Sequence, residues 1–217
     1  MAAAMHPWLA EFIQQLEAQQ LPAGSAAGTL TDVELFDLFE SQLWSRLLDL
    51  QSRLMQAQGQ SFYTIGSSGH EANAAVAKAL RVTDPAFLHY RSGAFFIQRA
   101  KQLPGSTPIY DLLLSFAASA DDPISAGRHK VLGSLQLNIP PQTSTIASHL
   151  PKAMGTAYAI GLSERLNHVG TWPQDAIAIC SFGDASANHS TAVGAINAAC
   201  WAAYQSVPIT ETIIISK

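Results

Sequence analysis

The chain has 217 residues, of which 48% are hydrophobic and only 13% are charged, and its formal net charge is −4. The negative net charge gives no electrostatic basis for binding nucleic acid. No stretch is long and apolar enough to span a bilayer, and residues 1–5 lack the features of a signal peptide. Cys180 and Cys200 are expected to be small core residues in a reducing, cytoplasmic compartment. With so few charges, we expect partners to cover part of the surface.

The first 60 residues are predicted to form a helical arm. Residues 6–20 have an amphipathic helical pattern, and the stretch 21–28 is typical of a flexible linker. Thr31 and Glu34 have the spacing of a capping box, so a long helix is predicted from there to Gly59. Its apolar stripe, with spacings of three and four, indicates core or a helix-pairing surface more than a site. The stripe residues are Phe36, Phe39, Leu43, Leu47, Leu50 and Leu54.

From residue 61 to residue 217 the pattern predicts an α/β domain. A short strand is expected at 87–90 and an extended segment around Pro140 and Pro141. The nearly pure apolar run 176–182 is typical of a strand buried on both faces of a parallel sheet. An Ala-rich helix to about Tyr204 and a strand at the end of the chain complete a βαβ unit. The other predicted helices cover residues 70–80, 92–101, 107–117 and 147–166.

Gly183 and Asp184 follow the apolar strand directly, which makes this turn the strongest site candidate. Glycine allows the strand to stop abruptly. A carboxylate at the carboxyl end of a parallel strand, beside free backbone N–H groups, suits a Mg²⁺ ion that holds a diphosphate. The alternative is that Asp184 simply caps the following helix, which is a common role of aspartate.

This turn resembles the thiamine-diphosphate signature of 2-oxo acid dehydrogenases, which begins Gly-Asp-Gly and continues through an Ala-x-Asn-x-Ala helix core. Residues 195–199, Ala-Ile-Asn-Ala-Ala, stand at the family's spacing from Gly183. The sequence departs from the signature in two ways: Ala185 replaces the second glycine, and the closing Asn-Asn pair is absent. The resemblance implies that Gly183, Asp184, Ala185 and Ser186 bind the cofactor, with Asp184 as the Mg²⁺ ligand.

Further landmarks resemble the same family in the same order, so the resemblance covers about residues 62–217. They are Gly69-His70-Glu71-Ala72, Tyr90-Arg91, Gly127-Arg128-His129, Ser144-Thr145-Ile146 and the segment 150–155. The nearest types are the branched-chain and pyruvate dehydrogenases, including forms that fuse both subunits into one chain.

The resemblance implies a role for each of these residues. Tyr90 and Arg91 would hold diphosphate oxygens, Ser144 would contact the pyrimidine ring, and Ile146 would be the apolar wedge that bends the cofactor. His129 would be the catalytic histidine that stabilises reaction intermediates. The residues alone allow other interpretations: a surface pair for Tyr90 and Arg91, ordinary core for Ile146, and a solvated loop histidine for His129.

Two groups that the family uses have no counterpart in the sequence. The absent asparagine would supply one Mg²⁺ ligand, so we expect this chain alone to bind thiamine diphosphate weakly or not at all. The glutamate that acts on the pyrimidine ring comes, in the family, from a beta subunit or the second half of a fused chain. We therefore expect this chain to provide only the diphosphate-holding half of the site.

The sequence predicts a parallel α/β sheet of the thiamine-diphosphate-binding type, incomplete at its carboxyl end and preceded by a helical arm. The implied function is the alpha-type part of a 2-oxo acid dehydrogenase, which decarboxylates a 2-oxo acid and transfers the acyl group to a lipoyl-bearing acyltransferase. An oligomer is expected. Two alternatives stay open: a transketolase-like ketol transfer, and a folded fragment that binds no cofactor and serves only in assembly.

Overall fold

The computed structural model of the chain describes residues 10–11, 14, 18, 29–62, 66–209 and 212–216. The helix predicted over 6–20 lies largely outside the described residues, and the linker 21–28 lies wholly outside them. The chain divides into two compact units, Met1–Leu35 and Phe36–Lys217, and the domain boundary at residue 60 stays a prediction. Within the described residues, no helix combines the length and apolar character needed to cross a membrane.

The long helix α1 (Asp32–Ala57) begins at the predicted capping box. The Glu34 amide donates to Thr31 Oγ1 at 3.3 Å, and the Thr31 amide donates to the Glu34 carboxylate at 3.0 Å. These two bonds satisfy donors that the start of a helix otherwise leaves unpaired. After the helix, Gly59 has a φ of 73°, a left-handed conformation that glycine adopts without strain.

α1 buries a face that mixes polar and apolar side chains, and it exposes most of its apolar stripe. Phe36 is 73% exposed and Phe39 is 47% exposed, and Leu43, Leu47 and Leu54 are exposed as well. The interpretation of the stripe as core is therefore wrong for these five residues, and a helix-pairing surface stays a prediction. The buried residues of α1 are Leu38, Ser41, Ser45, Leu48, Asp49, Ser52 and Met55.

The parallel α/β fold is confirmed. A three-stranded parallel sheet has the order β1–β4–β5, and β2 and β3 form a separate antiparallel pair. The strands are β1 (Ala86–Phe87), β2 (Leu132–Ser134), β3 (Ile139–Gln142), β4 (Ala178–Phe182) and β5 (Thr212–Ser216). The remaining helices are α2 (Asn73–Ala79), α3 (Gly93–Ala100), α4 (Pro108–Phe116), α5 (Leu150–Arg165) and α6 (Ser190–Tyr204).

Most element boundaries agree with the sequence prediction to within one to three residues. Two of the three-residue differences have a local cause. The helix predicted from His70 begins at Asn73, because Gly69 has a φ of 90° and the chain is still turning there. The strand predicted at 87–90 pairs with β4 only at Ala86 and Phe87, since the chain then turns into α3. The strand β2 was not predicted.

The central strand of the sheet is fully buried. All five residues of β4 are buried, as the apolar run predicts for a strand covered on both faces. Burial raises the pKa of the Cys180 thiol in this strand to about 12. Cys200, by contrast, is exposed on α6, so its assignment to the core is wrong. The helical pattern of α6 does not reveal which of its faces meets the sheet.

Gly161 and Gly155 offer a matched test of the packing of α5. A Cβ at Gly161 would overlap the Pro208 carbonyl oxygen, whereas a Cβ at Gly155 would have no neighbouring atom within 4 Å. We expect Gly161→Ala to lower the free energy of unfolding by about 1–3 kcal/mol through overpacking. Gly155→Ala should raise it by about 0.5–1 kcal/mol, because alanine is the better helix former. Urea unfolding measures both, and a gain in stability at both positions would contradict this packing.

Candidate active site

A cleft of about 510 Å³ opens at the carboxyl end of β4. This is where parallel α/β sheets place their ligands. Seven of the nine residues that the sequence assigns to a site meet there, from three separate parts of the chain. They are Tyr90, Arg91, Ile146, Gly183, Asp184, Ala185 and Ser186. Ser68, Gly69, His70 and His89 complete the lining.

Asp184 presents an unengaged carboxylate to this cleft. It begins a short 3₁₀ turn, Asp184–Ser186, and its side chain is exposed. Among the described residues, none forms a hydrogen bond or ion pair with the Asp184 carboxylate. The N-cap of α6 is His189, whose Nδ1 accepts from the Thr191 amide at 3.2 Å, so Asp184 does not cap that helix. A free carboxylate at a strand end supplies the oxygen ligands that Mg²⁺ prefers.

Arg91 supplies the fixed positive charge of the cleft. Its Nη1 donates to the Gly66 carbonyl oxygen at 2.5 Å, and its guanidinium carbon lies 5.4 Å from the centroid of the Tyr90 ring. A guanidinium has five N–H donors, so several stay available for an anion. The planar fork matches carboxylate and phosphate oxygens in pairs.

The loop that orients Arg91 is itself held by the buried face of α1. Asp49 Oδ2 accepts from the Ser67 amide at 2.6 Å and from the Ser67 hydroxyl at 2.8 Å. Arg46 pairs with Glu71, and the Glu71 carboxylate accepts from the Gly69 amide at 2.8 Å. Burial raises the pKa of the Asp49 carboxyl, although the donors from Ser67 oppose that shift. The sequence pattern does not reveal this support, because Asp49 lies 18 residues before Ser67 and no local motif connects the two.

Two histidines, His70 and His89, line the cleft, and His149 lies behind His89. The rings of His70 and His89 stack at 4.6 Å with an interplanar angle of 8°, and His149 lies 6.5 Å from His89. His149 Nε2 donates to the Ser181 carbonyl oxygen at 2.7 Å. Burial above all, and then the charges of His70, His149 and Arg91, lower the pKa of His89 to about 3. The cluster is therefore built around a neutral His89, which the sequence did not single out.

Ile146 places an apolar side chain at the rim of the cleft. It is 51% exposed, so the interpretation as ordinary core is wrong. The next residue, Ala147, has a φ of 59°, a left-handed conformation that is uncommon for alanine. Ser144 lies two residues earlier and does not line the cleft.

The structure does not bring His129 into the cleft. Its Nε2 lies 3.2 Å from Ser61 Oγ, and its ring meets the edge of Phe62 with centroids 5.7 Å apart. Burial, and then the charge of Lys130, lower the pKa of His129. A catalytic role for His129 stays a prediction.

The residues of the cleft could hold a metal only together with a ligand. Across the part of the chain that the structure describes, no group of three His, Cys, Asp or Glu side chains is arranged to bind an ion. Asp184 alone would leave most positions of an octahedral Mg²⁺ ion to other oxygens. Phosphate oxygens held by Arg91 are suitable donors.

The family of the chain follows from sequence comparison. A sequence model described as the dehydrogenase E1 component matches residues 40–212. The match covers most of the chain, which therefore belongs to the dehydrogenase E1 component family. The resemblance to 2-oxo acid dehydrogenases is thus confirmed, and the chain is a component of an enzyme of this class.

The support of the cleft loop by Asp49 can be tested directly. Asp49→Ala leaves the buried Ser67 amide without an acceptor, which should lower the free energy of unfolding by about 1–3 kcal/mol. Amide hydrogen exchange at Ser67 should become faster. Asp49→Asn keeps a side-chain oxygen at the same place, so it should change both measurements much less. Equal effects of the two variants would contradict the role of Asp49 as an acceptor.

Proposed function

We propose that this chain is the alpha-type part of a 2-oxo acid dehydrogenase and that its cleft holds the diphosphate and Mg²⁺ of thiamine diphosphate. The observation that supports this most strongly is the pairing of an unengaged carboxylate, Asp184, with a positioned guanidinium, Arg91, on one cleft. A metal diphosphate needs both an oxygen ligand for the cation and a cationic donor for the anion.

The chemistry of the lining fits such a group. Arg91 and Tyr90 would hold diphosphate oxygens, while Asp184 would bind the metal. The backbone from Gly183 to Ser186 turns at the strand end, where a phosphate can approach it closely. Ala185, which stands where the signature has its second glycine, is exposed and lines the cleft.

The remaining residues of the proposed site would contact the rings of thiamine diphosphate. Ile146 would wedge against the bound cofactor, as its exposed position at the rim allows, and Ser144 would contact the pyrimidine. When bound, thiamine diphosphate supplies the carbanion chemistry that decarboxylates a 2-oxo acid. The protein side chains would bind and orient the cofactor and hold its phosphates next to Asp184 and Arg91.

We further propose that the site is completed by a beta subunit or the second half of a fused chain, and that the acyl group passes to a lipoyl-bearing acyltransferase. Membership of the E1 component family supports a multi-component enzyme. The exposed stripe on α1 supports an assembly, because a continuous set of large apolar side chains in water is typical of an interface.

The proposed metal ligand is tested by Asp184→Ala. In the enzyme assembled with the part that completes the site, we expect the variant to lose Mg²⁺-dependent binding of thiamine diphosphate by about tenfold or more, which corresponds to about 1.4 kcal/mol. Its melting temperature should not change, because the Asp184 side chain is exposed and contributes no bond among the described residues. Calorimetric titration measures the binding. Asp121→Ala removes another exposed aspartate and should have no effect. Normal affinity together with a lowered melting temperature would indicate a structural role instead.

The proposed interface is tested by charge insertion in the stripe. We expect the wild-type chain to self-associate at high concentration, and the double variant Phe36→Glu, Phe39→Glu to shift it towards the 23.2 kDa monomer. Light scattering measures the mass. Val169→Glu places the same charge at an apolar residue that is 93% exposed and lies outside the stripe, so it serves as the control. A wild-type chain that stays monomeric would contradict the interface.

A further inference from the structure

His89 carries a polar atom in the cleft to which neither the motif resemblance nor the family match gives a role. The side chain is only 4% exposed, yet it lines the cleft. Its Nδ1 lies 3.3 Å from the Arg91 backbone amide, which donates to it. Because a backbone N–H can only donate, Nδ1 must be the unprotonated nitrogen of the ring.

The ring is neutral, so its single proton lies on Nε2. Burial and the neighbouring positive groups lower the pKa of His89 to about 3, far below neutral pH. The ring cannot turn freely, because it is stacked on His70 and lies 3.8 Å from the Tyr90 ring, centroid to centroid. The His89 backbone is fixed as well, since its amide donates to Ser181 Oγ at 3.1 Å. The structure therefore presents a preorganised N–H donor.

This donor lies beside the strand end. A Cβ built on Gly183 would lie 3.6 Å from His89 Nε2 and 3.8 Å from Ser186 Oγ, so both polar atoms are close to the same side of Gly183. Among the described residues, no acceptor engages Nε2. Because His89 lines the cleft, a group bound there can accept from this N–H.

We propose that His89 Nε2–H is a neutral hydrogen-bond donor to an anionic oxygen of a diphosphate bound in this cleft, with the Ser186 hydroxyl beside it. This inference rests on the proposed function, in which the cleft holds a diphosphate. His89 differs from Arg91 in contributing a directional bond without a charge. Its contribution should therefore be nearly independent of salt, whereas that of Arg91 is screened.

Two isosteric variants separate the two ring nitrogens. Asparagine reproduces the acceptor at Nδ1 but not the donor at Nε2, whereas glutamine reaches the position of Nε2 with an N–H group. We expect His89→Asn to weaken binding of inorganic diphosphate with Mg²⁺, and of thiamine diphosphate, by about tenfold in calorimetry, and His89→Gln to recover most of it. His168→Asn removes an exposed histidine outside the cleft and should bind as the wild type does.

A measurement on the wild type makes the test independent of how the variants fold. Long-range ¹⁵N NMR of the full 217-residue chain should show His89 in the Nε2-protonated form, and added inorganic diphosphate should shift the Nε2 proton downfield. A proton on Nδ1, an unshifted His89 signal on diphosphate binding, or equal affinity of wild type and His89→Asn would overturn the inference alone. No binding of either diphosphate by the wild-type enzyme, assembled with the part that completes the site, would overturn the proposed function and this inference with it.

Discussion

The cleft depends on one polar residue in an otherwise apolar strand. The hydroxyl of Ser181, in β4, accepts from the His89 amide and lies 2.8 Å from the Ser92 hydroxyl, and its carbonyl accepts from His149 Nε2. Ser181 thereby joins the end of β1, the start of α3 and the start of α5 to the central strand. Because the strand is buried on both faces, its polar groups need hydrogen-bond partners. The bonds that Ser181 makes with His89, Ser92 and His149 hold these three segments in place beside the site.

The charges of the cleft depend on the burial of the histidines around Ser181. Burial lowers the pKa of His89 to about 3 and also lowers the pKa of His149, which disfavours the charged form of both rings. The fixed charges on the lining are therefore Arg91, which is held by the Gly66 carbonyl, and Asp184, which is free. A positioned cation and an unengaged anion on the lining of one cleft favour a ligand that itself carries both signs, as a metal-bound diphosphate does.

The sequence predicted those parts of the fold and site that are encoded locally. The apolar run of β4, the turn at Gly183 and the helix behind it are contiguous in sequence, and the capping box of α1 needs only Thr31 and Glu34. Contacts between distant segments were missed: Asp49 under the loop at Ser67, and His89 beside Gly183. The periodicity of α1 revealed an apolar stripe, but periodicity does not determine which face of a helix meets the core.

Close packing explains why α1 turns its serines inward. A Cβ on Gly93, at the start of α3, would lie 2.9 Å from Ser45 Oγ, so only small side chains allow this approach. Ser41 donates to Gln98 across the same contact at 2.7 Å. The serines and Asp49 of α1 thus contact α3 and the cleft loop, and its apolar stripe is exposed. A partner bound to the stripe, as proposed above, would contact the same helix whose opposite face holds the loop around Arg91, and α1 would then link assembly to the geometry of the cleft.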